Sequence, residues 1–183
     1  IVKKRQGQIN LFKRPSGFNG LINLIVEQQL SVASAKAIFG RLKKSITPFS
    51  AKQFLQTEID VFRAAGLSHQ KINYCTGIAE ACLSKKINFS SLEQMTNEEI
   101  VNELTKFKGI GEWTAQMYLI FQLNRPNVLP LADIGFINSA TRIYRLNKPN
   151  LSDIISISKK WGNYKTVAVW YIWRIIDPEA VQY

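Results

Sequence analysis

The sequence has little cysteine and histidine, which limits the chemistry open to it. Only two cysteines occur, Cys75 and Cys82, and their spacing within one predicted helix places them two turns apart, too far for an easy disulfide. Two thiols are also too few for an iron–sulfur cluster, which takes four thiolates. The one histidine, His69, has no cysteine or acidic cluster beside it. We therefore predict no zinc site and expect His69 at the surface or beside a phosphate.

Long apolar runs and acidic residues are scarce as well. No run approaches the roughly 20 residues that a membrane-spanning helix needs, and no signal peptide precedes Ile1, so we expect an intracellular, soluble protein with no membrane partner. Lysine and arginine number 24 against 13 aspartates and glutamates, a formal net charge of +11. This charge favours a polyanionic partner over a small acidic substrate, and nucleic acid is the first candidate.

Apolar residues recur at three- and four-residue spacing along nearly the whole chain, and sustained strict alternation is hard to find. We therefore predict an all-α protein with a single domain over 1–183. Thr96 and Glu99 have the spacing of a capping box, and Ser16 and Ser31 stand where N-caps would. The predicted helices are Gly17–Leu30, Val32–Lys44, Ala51–Gln56, Glu58–Ala65, His69–Ser84, Asn97–Phe107, Glu112–Leu123, Ile134–Arg145, Leu151–Trp161 and Tyr164–Ile176.

The start of the chain is basic and contains no acid. Taken alone, such a run is typical of a solvated arm rather than of a binding element. Its basic residues are Lys3, Lys4, Arg5, Lys13 and Arg14.

The stretch "KGIG" joins two predicted helices in a turn too short for ordinary residues. Gly109 and Gly111 are expected to supply unusual backbone angles and to leave the amides bare at the start of the next helix, where the helix dipole favours an anion. Lys108 beside the turn and Thr114 in the next one favour a phosphate contact. The alternative is an ordinary helix C-cap glycine followed by a new helix.

Asp133 is the only acid between Glu112 and Asp153, and its neighbours "VLPLADIGF" are apolar. One interpretation is a helix N-cap, whose oxygen accepts a backbone hydrogen bond from residue 135 or 136. The other is a partly desolvated carboxylate placed to meet a developing positive charge. The two roles are compatible, because a capped carboxylate is also well oriented.

Five segments, taken in order, carry a resemblance to a known family: "IVEQQLSVASA", "GLSHQK", "FKGIGEWTAQ", "NVLPLADIGF" and "WGNYKTVAVWYIWR". They resemble the helix-hairpin-helix DNA glycosylases, most closely the 3-methyladenine DNA glycosylase II branch, from about Arg5 to Arg174. The resemblance implies two helical lobes with an interlobe active-site cleft, which the hairpin at about 97–123 and Asp133 both face. In such enzymes the damaged nucleotide is flipped out of the duplex, because the target bond is inaccessible inside the stack.

The resemblance implies a monofunctional DNA N-glycosylase that hydrolyses the N-glycosidic bond of alkylated purines, of the 3-methyladenine and 7-methylguanine type, to start base excision repair. Asp133 would be the catalytic residue, stabilising the oxocarbenium-like sugar and activating or orienting water. A base alkylated on a ring nitrogen is already cationic and leaves readily. A dedicated general acid is then not required, which agrees with the absence of a second acid near Asp133 in the sequence.

The base pocket is expected to contain Trp113, Met117 and Trp173, which match pocket positions of the family. Trp113 stands where bifunctional relatives carry a nucleophilic lysine, so no Schiff base can form there and strand cleavage is not expected. Its ring would instead stack on a cationic purine. The alternative for Trp113 is a core aromatic beneath the hairpin.

The DNA contacts implied by the resemblance fall into two sets. Backbone contacts are predicted at Lys108, Gly109, Gly111 and Thr114, and at Ser68 and Lys71 in a second short hairpin within "GLSHQK". The side chain inserted into the duplex is predicted to be Gln29, then Leu30, with Gln28 the third candidate; helix-terminus packing is the alternative for these residues.

The partner implied is double-stranded DNA containing alkylated bases, bound by a monomer. No cofactor, metal or iron–sulfur cluster is expected, and the resemblance allows a monovalent cation at the hairpin when DNA is bound. Two alternatives stay open at this point. The same scaffold could remove uracil, mismatched or oxidised bases, or the protein could be a non-catalytic module that uses its hairpins only to hold the DNA backbone.

Overall fold

The computed structural model of the protein describes residues 14–176, without the side chains of 175 and 176. This part of the chain is helical and contains no strand, so the all-α prediction is confirmed. None of its helices is both long and apolar enough to cross a membrane. The helices are α1 (Gly17–Glu27), α2 (Val32–Ser45), α3 (Ala51–Leu55), α4 (Ile59–Ala65), α5 (His69–Leu83), α6 (Phe89–Leu92), α7 (Asn97–Leu104), α8 (Glu112–Phe121), α9 (Ile134–Ile143), α10 (Leu151–Ser158) and α11 (Lys165–Ile176), with a 3-10 turn at Lys159–Trp161.

Every predicted helix has a counterpart, but most end earlier than predicted. Non-glycine residues with left-handed backbone follow four of these ends: Gln29, Lys85, Asn124 and Arg145, with φ between 50° and 58°. The short helix α6 is absent from the prediction, although Asn88 caps it with its side chain. These helices therefore end without the glycine that usually marks a helix C-terminus in a sequence.

Two hydrophobic clusters divide the described residues into the two predicted lobes. The larger cluster is built mainly on α1–α8, with residues such as Leu24, Ile78 and Tyr118, and also includes Trp170 of α11. The smaller joins α9, α10 and α11 through residues such as Phe136. Partly buried Trp173 packs against both clusters, so it lies where the lobes meet.

Helix α8 runs through the larger lobe and is buried after its first two residues, from 114 to 121. A helix surrounded on all sides must be apolar nearly all round, which its sequence "EWTAQMYLIF" satisfies. Trp113 and Met117 are one turn apart on this helix and face the same side.

The capping box of α7 is present. The Thr96 hydroxyl accepts from the Glu99 amide at 3.3 Å, and the Glu99 carboxylate accepts from the Thr96 amide at 2.7 Å. Ser31 also caps its helix, through the Ser34 amide. Ser16 holds the N-cap position of α1 but makes no side-chain cap hydrogen bond.

Cys75 and Cys82 are both free thiols. Burial raises the pKa of Cys75 to about 12 and that of Cys82 to about 11. These thiols are therefore packing residues rather than nucleophiles.

The basic start of the chain is described only at Arg14; residues 3, 4, 5 and 13 lie outside the described residues. The prediction of a solvated arm is wrong for Arg14. Its side chain is 9% exposed, its guanidinium binds the Glu27 carboxylate, and it lies 4.4 Å from the centre of the Phe121 ring.

Candidate functional site

The turn between α7 and α8 is a helix-hairpin-helix whose two glycines have different roles. Gly109 has φ +94°, and a Cβ there would lie 2.6 Å from Tyr74 Cβ and overlap the tyrosine ring. Gly111 has an ordinary φ of −91°, and a Cβ there would meet nothing within 4 Å. The prediction of an unusual angle is therefore right for Gly109 and wrong for Gly111.

Gly111 is the N-cap of α8 and offers no side-chain acceptor to the first-turn amides. Such a helix start is a favourable site for an anion, because the amides and the helix dipole both point at it. Exposed Lys108 precedes it in the turn, whereas Lys106 forms an ion pair with Glu103. The hairpin thus presents bare backbone and one nearby cation.

A groove of about 870 Å³ runs beside this turn and is called the hairpin groove below. Its lining includes the turn itself, Gln28 and Gln29 from the end of α1, and residues 132 to 135 at the start of α9. Ile134, which is 75% exposed, is the most exposed large hydrophobic residue at its edge. An open, partly apolar groove beside a basic turn suits an extended polyanion better than a small ligand.

Gln28 and Thr114 tie the end of α1 to the hairpin. The Gln28 amide donates to the Gly109 carbonyl at 2.8 Å and to the Thr114 hydroxyl at 2.9 Å. This geometry argues against the predicted place of Gln28 in the duplex wedge. Thr114 lines the hairpin groove but is only 2% exposed, and its hydroxyl already accepts from Gln28, so its contact with the DNA backbone stays a prediction. In the structure both residues position the hairpin.

The second hairpin is anchored on the same helix end. Ser68 caps α5 by accepting from the Lys71 amide at 3.3 Å. The Lys71 ammonium donates to the carbonyls of Val26 at 2.8 Å and Gln28 at 2.6 Å, and burial lowers its pKa. The amine therefore satisfies the C-terminal carbonyls of α1, a role that the sequence reasoning missed.

Gln29 and Leu30 lie between these two hairpins. Both are exposed, and Gln29 has left-handed backbone with φ 58°. Their neighbours Gln28 and Ser31 both use their side chains in hydrogen bonds to the protein. The structure therefore leaves Gln29 and Leu30 available for the predicted insertion.

A cavity of about 230 Å³ lies at the boundary of the lobes and contains Asp133; it is called the Asp133 cavity below. Trp113, Met117 and Trp173 line it, so the structure brings the predicted pocket residues together with the predicted catalytic residue. Phe121 adds a third aromatic wall, stacked on Trp173 with ring centres 5.9 Å apart. Trp113, Asp133 and Gly135 also line the hairpin groove, so the two spaces meet at Asp133.

The Asp133 carboxylate accepts three N–H hydrogen bonds. Oδ1 accepts from the Phe136 amide, as an N-cap does, and from the Trp173 indole at 3.3 Å. Oδ2 accepts from the Trp113 indole at 2.7 Å. Asp133 thus caps α9, as the first interpretation predicted, and these hydrogen bonds hold its carboxylate in a fixed orientation in the cavity wall. The catalytic interpretation stays a prediction.

A second carboxylate lines the same cavity. Glu27, the last residue of α1, accepts from Arg14 at 2.9 and 3.2 Å and from Asn23 at 2.8 Å. Burial raises the pKa of Glu27, and the Arg14 guanidinium partly offsets this effect. No second acid lies near Asp133 in the sequence, but the fold brings Glu27 into the wall of the same cavity.

No group of three or more histidine, cysteine, aspartate or glutamate residues is placed to hold a metal ion within 14–176. His69 is exposed at the start of α5. Carbonyl oxygens of the hairpin can act as ligands of a monovalent cation. The Gly109 carbonyl already accepts a hydrogen bond from Gln28.

Residues 22–163 match the model of the HhH-GPD superfamily of base excision DNA repair proteins. The chain belongs to the HhH-GPD superfamily. The matched HhH-GPD range includes the hairpin, Glu27 and Asp133, whereas Arg14 and Trp173 lie outside it.

Named HhH-GPD relatives cover most of the chain. The chain is 35% identical to DNA-3-methyladenine glycosylase 1 of Schizosaccharomyces pombe over 86% of its length and 71% of the relative's. It is 31% identical to the alkylbase DNA glycosidase-like protein mag2 of the same yeast, over 94% of this chain and 84% of the relative. The structure of the S. pombe 3-methyladenine DNA glycosylase Mag1 in complex with abasic DNA superposes with a TM-score of 0.84 at 34% identity, covering 94% of this chain and 88% of that one.

Proposed function

We propose that the protein is a monofunctional DNA N-glycosylase that removes alkylated purines, of the 3-methyladenine and 7-methylguanine type, from duplex DNA to start base excision repair. The observation that carries this proposal is the position of Asp133, whose oriented carboxylate lies where an aromatic cavity meets the hairpin groove. The names of the two yeast relatives and the DNA-bound Mag1 structure support the same activity.

In this proposal the DNA backbone lies in the hairpin groove. The amides at Gly111 and the ammonium of Lys108 bind one phosphate, and the amides near Ser68 bind a second. Gln29, then Leu30, enters the space that the flipped nucleotide vacates. Phosphate contacts of this kind carry no sequence information, which suits an enzyme that must search any sequence for damage.

The base then occupies the Asp133 cavity, where the aromatic walls stack on its cationic ring. The C1′–N bond breaks heterolytically, and its electron pair neutralises the positive charge of the base. The Asp133 carboxylate stabilises the oxocarbenium-like sugar that remains. Water adds to C1′ and loses a proton, so the products are free base and an abasic site.

Strand cleavage is not part of the proposed reaction. None of the described residues lining the Asp133 cavity is a lysine, and an indole stands at Trp113, the position at which the resemblance places the nucleophilic amine. Without an amine no Schiff base forms with the sugar, so β-elimination does not follow.

The remaining parts of the proposal follow from the substrate. The chain acts as a single HhH-GPD domain over 1–183 and as a monomer, on DNA inside the cell. The reaction needs only the carboxylate, water and the charge of the base, and therefore no cofactor. A monovalent cation on the hairpin carbonyls would assist phosphate binding and takes no part in the bond cleavage.

The test is a panel of duplexes that each carry one defined lesion. Chromatography measures the released base. Strand nicking is measured separately, before and after alkaline cleavage of abasic sites. We expect release of 3-methyladenine and 7-methylguanine with nicks appearing only after alkali. Release of uracil or oxidised bases instead would point to another lesion class, and binding without any release would favour the non-catalytic module.

Trp113→Phe separates the two contributions of this indole. The variant keeps an aromatic wall and loses the N–H that holds Oδ2 of Asp133, and hydrogen bonds to charged groups are worth about 1.5–3 kcal/mol. We expect base release to slow by about 10- to 100-fold and the melting temperature to fall by about 3–12 °C, because the same hydrogen bond also stabilises the fold. Trp161→Phe, which removes an indole outside the cavity, is the matched control. Unchanged release by Trp113→Phe would show that the N–H does not contribute.

A further inference from the structure

The Asp133 cavity contains a carboxylate that the proposed reaction does not use. Glu27 lines the cavity with its side chain 24% exposed, and its ion-pair partner Arg14 is 9% exposed. Arg14 is held in turn by its amide, which donates to the Phe121 carbonyl at 2.9 Å, and by its position over the Phe121 ring. Glu27 is therefore held in the cavity wall by a largely buried partner behind it rather than by a surface contact.

The hydrogen bonds of Glu27 leave it able to accept one more. A carboxylate offers about four acceptor positions on two oxygens. Among the described residues, Oε1 accepts from both Arg14 and Asn23, whereas Oε2 accepts from Arg14 alone, at 3.2 Å. Oε2 is thus the oxygen with an acceptor position open to an incoming donor.

The position of Glu27 is unfavourable for the stability of the fold. The residue lies at the C-terminal, negative end of α1, where an acidic side chain is disfavoured. Burial also disfavours its charge, as its raised pKa indicates. An ion pair of this kind is often no more stable than an apolar pair of the same size. Its presence in the cavity wall therefore points to a role in binding.

Little else in the described wall could hydrogen-bond to a base. The indole N–H groups of Trp113 and Trp173 are both directed at Asp133. The other lining side chains are apolar, among them Leu30, Val32 and Met117. With Asp133 assigned to the sugar, Glu27 is the polar side chain available to the ring edge of the base.

We propose that Glu27 is a specificity-determining residue, which selects cationic purines that present an N–H donor by accepting that donor on its carboxylate. This inference rests on the proposed function. The Watson–Crick edge of 7-methylguanine offers N1–H and an amino group, and that of 3-methyladenine offers an amino group. The neutral adduct 1,N6-ethenoadenine offers neither charge nor donor there, because its fused ring replaces the amino hydrogens.

The experiment compares wild type, Glu27→Gln and the double variant Arg14→Met with Glu27→Met on duplexes containing 7-methylguanine, 3-methyladenine or 1,N6-ethenoadenine. The double variant removes both charges, so it leaves no unpaired buried guanidinium beside the cavity. Single-turnover release is measured for each duplex. Binding constants for the same duplexes are measured with each change placed on an Asp133→Asn background, which gives a readout independent of turnover.

We expect both variants to lose about 10- to 100-fold in release and affinity for the two methylated purines, as for loss of a charge-assisted hydrogen bond. Release of ethenoadenine should change by less than about threefold, so the preference for methylated over etheno lesions narrows by at least about threefold. Glu80→Gln, a change at an exposed acid on α5, is the matched control and should leave every rate unchanged.

The outcomes separate this inference from the proposed function. If all three lesions lose the same factor, or none does, Glu27 is a structural ion pair and the inference is overturned. If wild type releases no base from any duplex, the proposed function fails first, and the binding constants still decide whether Glu27 discriminates. Melting temperatures identify a variant that is merely unfolded, in which case the other variant decides.

Discussion

Asp133→Asn is expected to slow base release by about 10²- to 10³-fold or more, while affinity for lesion-bearing duplex persists or increases. Asparagine can keep the cap on the Phe136 amide, because it is itself a good N-cap residue. Its amide nitrogen, however, would face the Trp113 indole N–H in place of Oδ2. The sugar then loses the negative charge that stabilises it, and the DNA loses a nearby negative charge.

The measurement is single-turnover release of 7-methylguanine from a defined duplex, together with a binding constant for the same duplex. Asp153→Asn is the matched control, because it removes the same charge at an exposed position in the first turn of α10. A rate for Asp133→Asn equal to that of wild type would rule out the proposed mechanism. Equal loss in both variants would indicate a general effect of charge.

The parts of the site that follow from local sequence could be predicted. Gly109 and Asp133 each occupy a position that their immediate neighbours define: a tight turn between helices, and the start of a helix in apolar surroundings. The apolar spacing also located the long helices, because most of them bury one face. Such features need only a few consecutive residues.

The parts that depend on distant contacts could not be predicted. Glu27 enters the site because Arg14, 13 residues earlier, folds back onto the end of α1 beside Phe121. Thr114 is buried because α8 is central to the larger lobe, although it occupies a helix start that would otherwise face a phosphate. Lys71 looks like a phosphate ligand in sequence, yet its amine binds carbonyls more than 40 positions away.

The helix ends show the same limit on a smaller scale. Glycine marks a left-handed C-terminal residue in sequence, as Gly66 does after α4. Gln29 and Arg145 adopt that conformation without being glycine, so the apolar spacing extends past the true end. At Gln29 the early end has a consequence for function, since it releases the segment proposed to enter the duplex.

Gly109→Ala is expected to be the most destabilising single methyl addition in the hairpin. Left-handed backbone costs an alanine about 1–2 kcal/mol, and overlap with a packed neighbour costs about 1–3 kcal/mol more. Both apply here, because φ is +94° and the new Cβ would meet the Tyr74 ring. We expect the melting temperature to fall by about 5–15 °C, measured by circular dichroism.

Gly111→Ala and Gly77→Ala distinguish a loss of stability from a loss of DNA binding. The added Cβ meets nothing within 4 Å in either case, so both variants should melt within a few degrees of wild type. Gly77 is an exposed position on α5 away from the groove, and its variant should also bind DNA normally. The Gly111 methyl would stand where we place the phosphate, so this variant should bind DNA more weakly at every salt concentration. If Gly111→Ala leaves the affinity unchanged, the phosphate must bind elsewhere on the hairpin. A Gly109→Ala protein as stable as wild type would contradict the requirement for glycine in the turn.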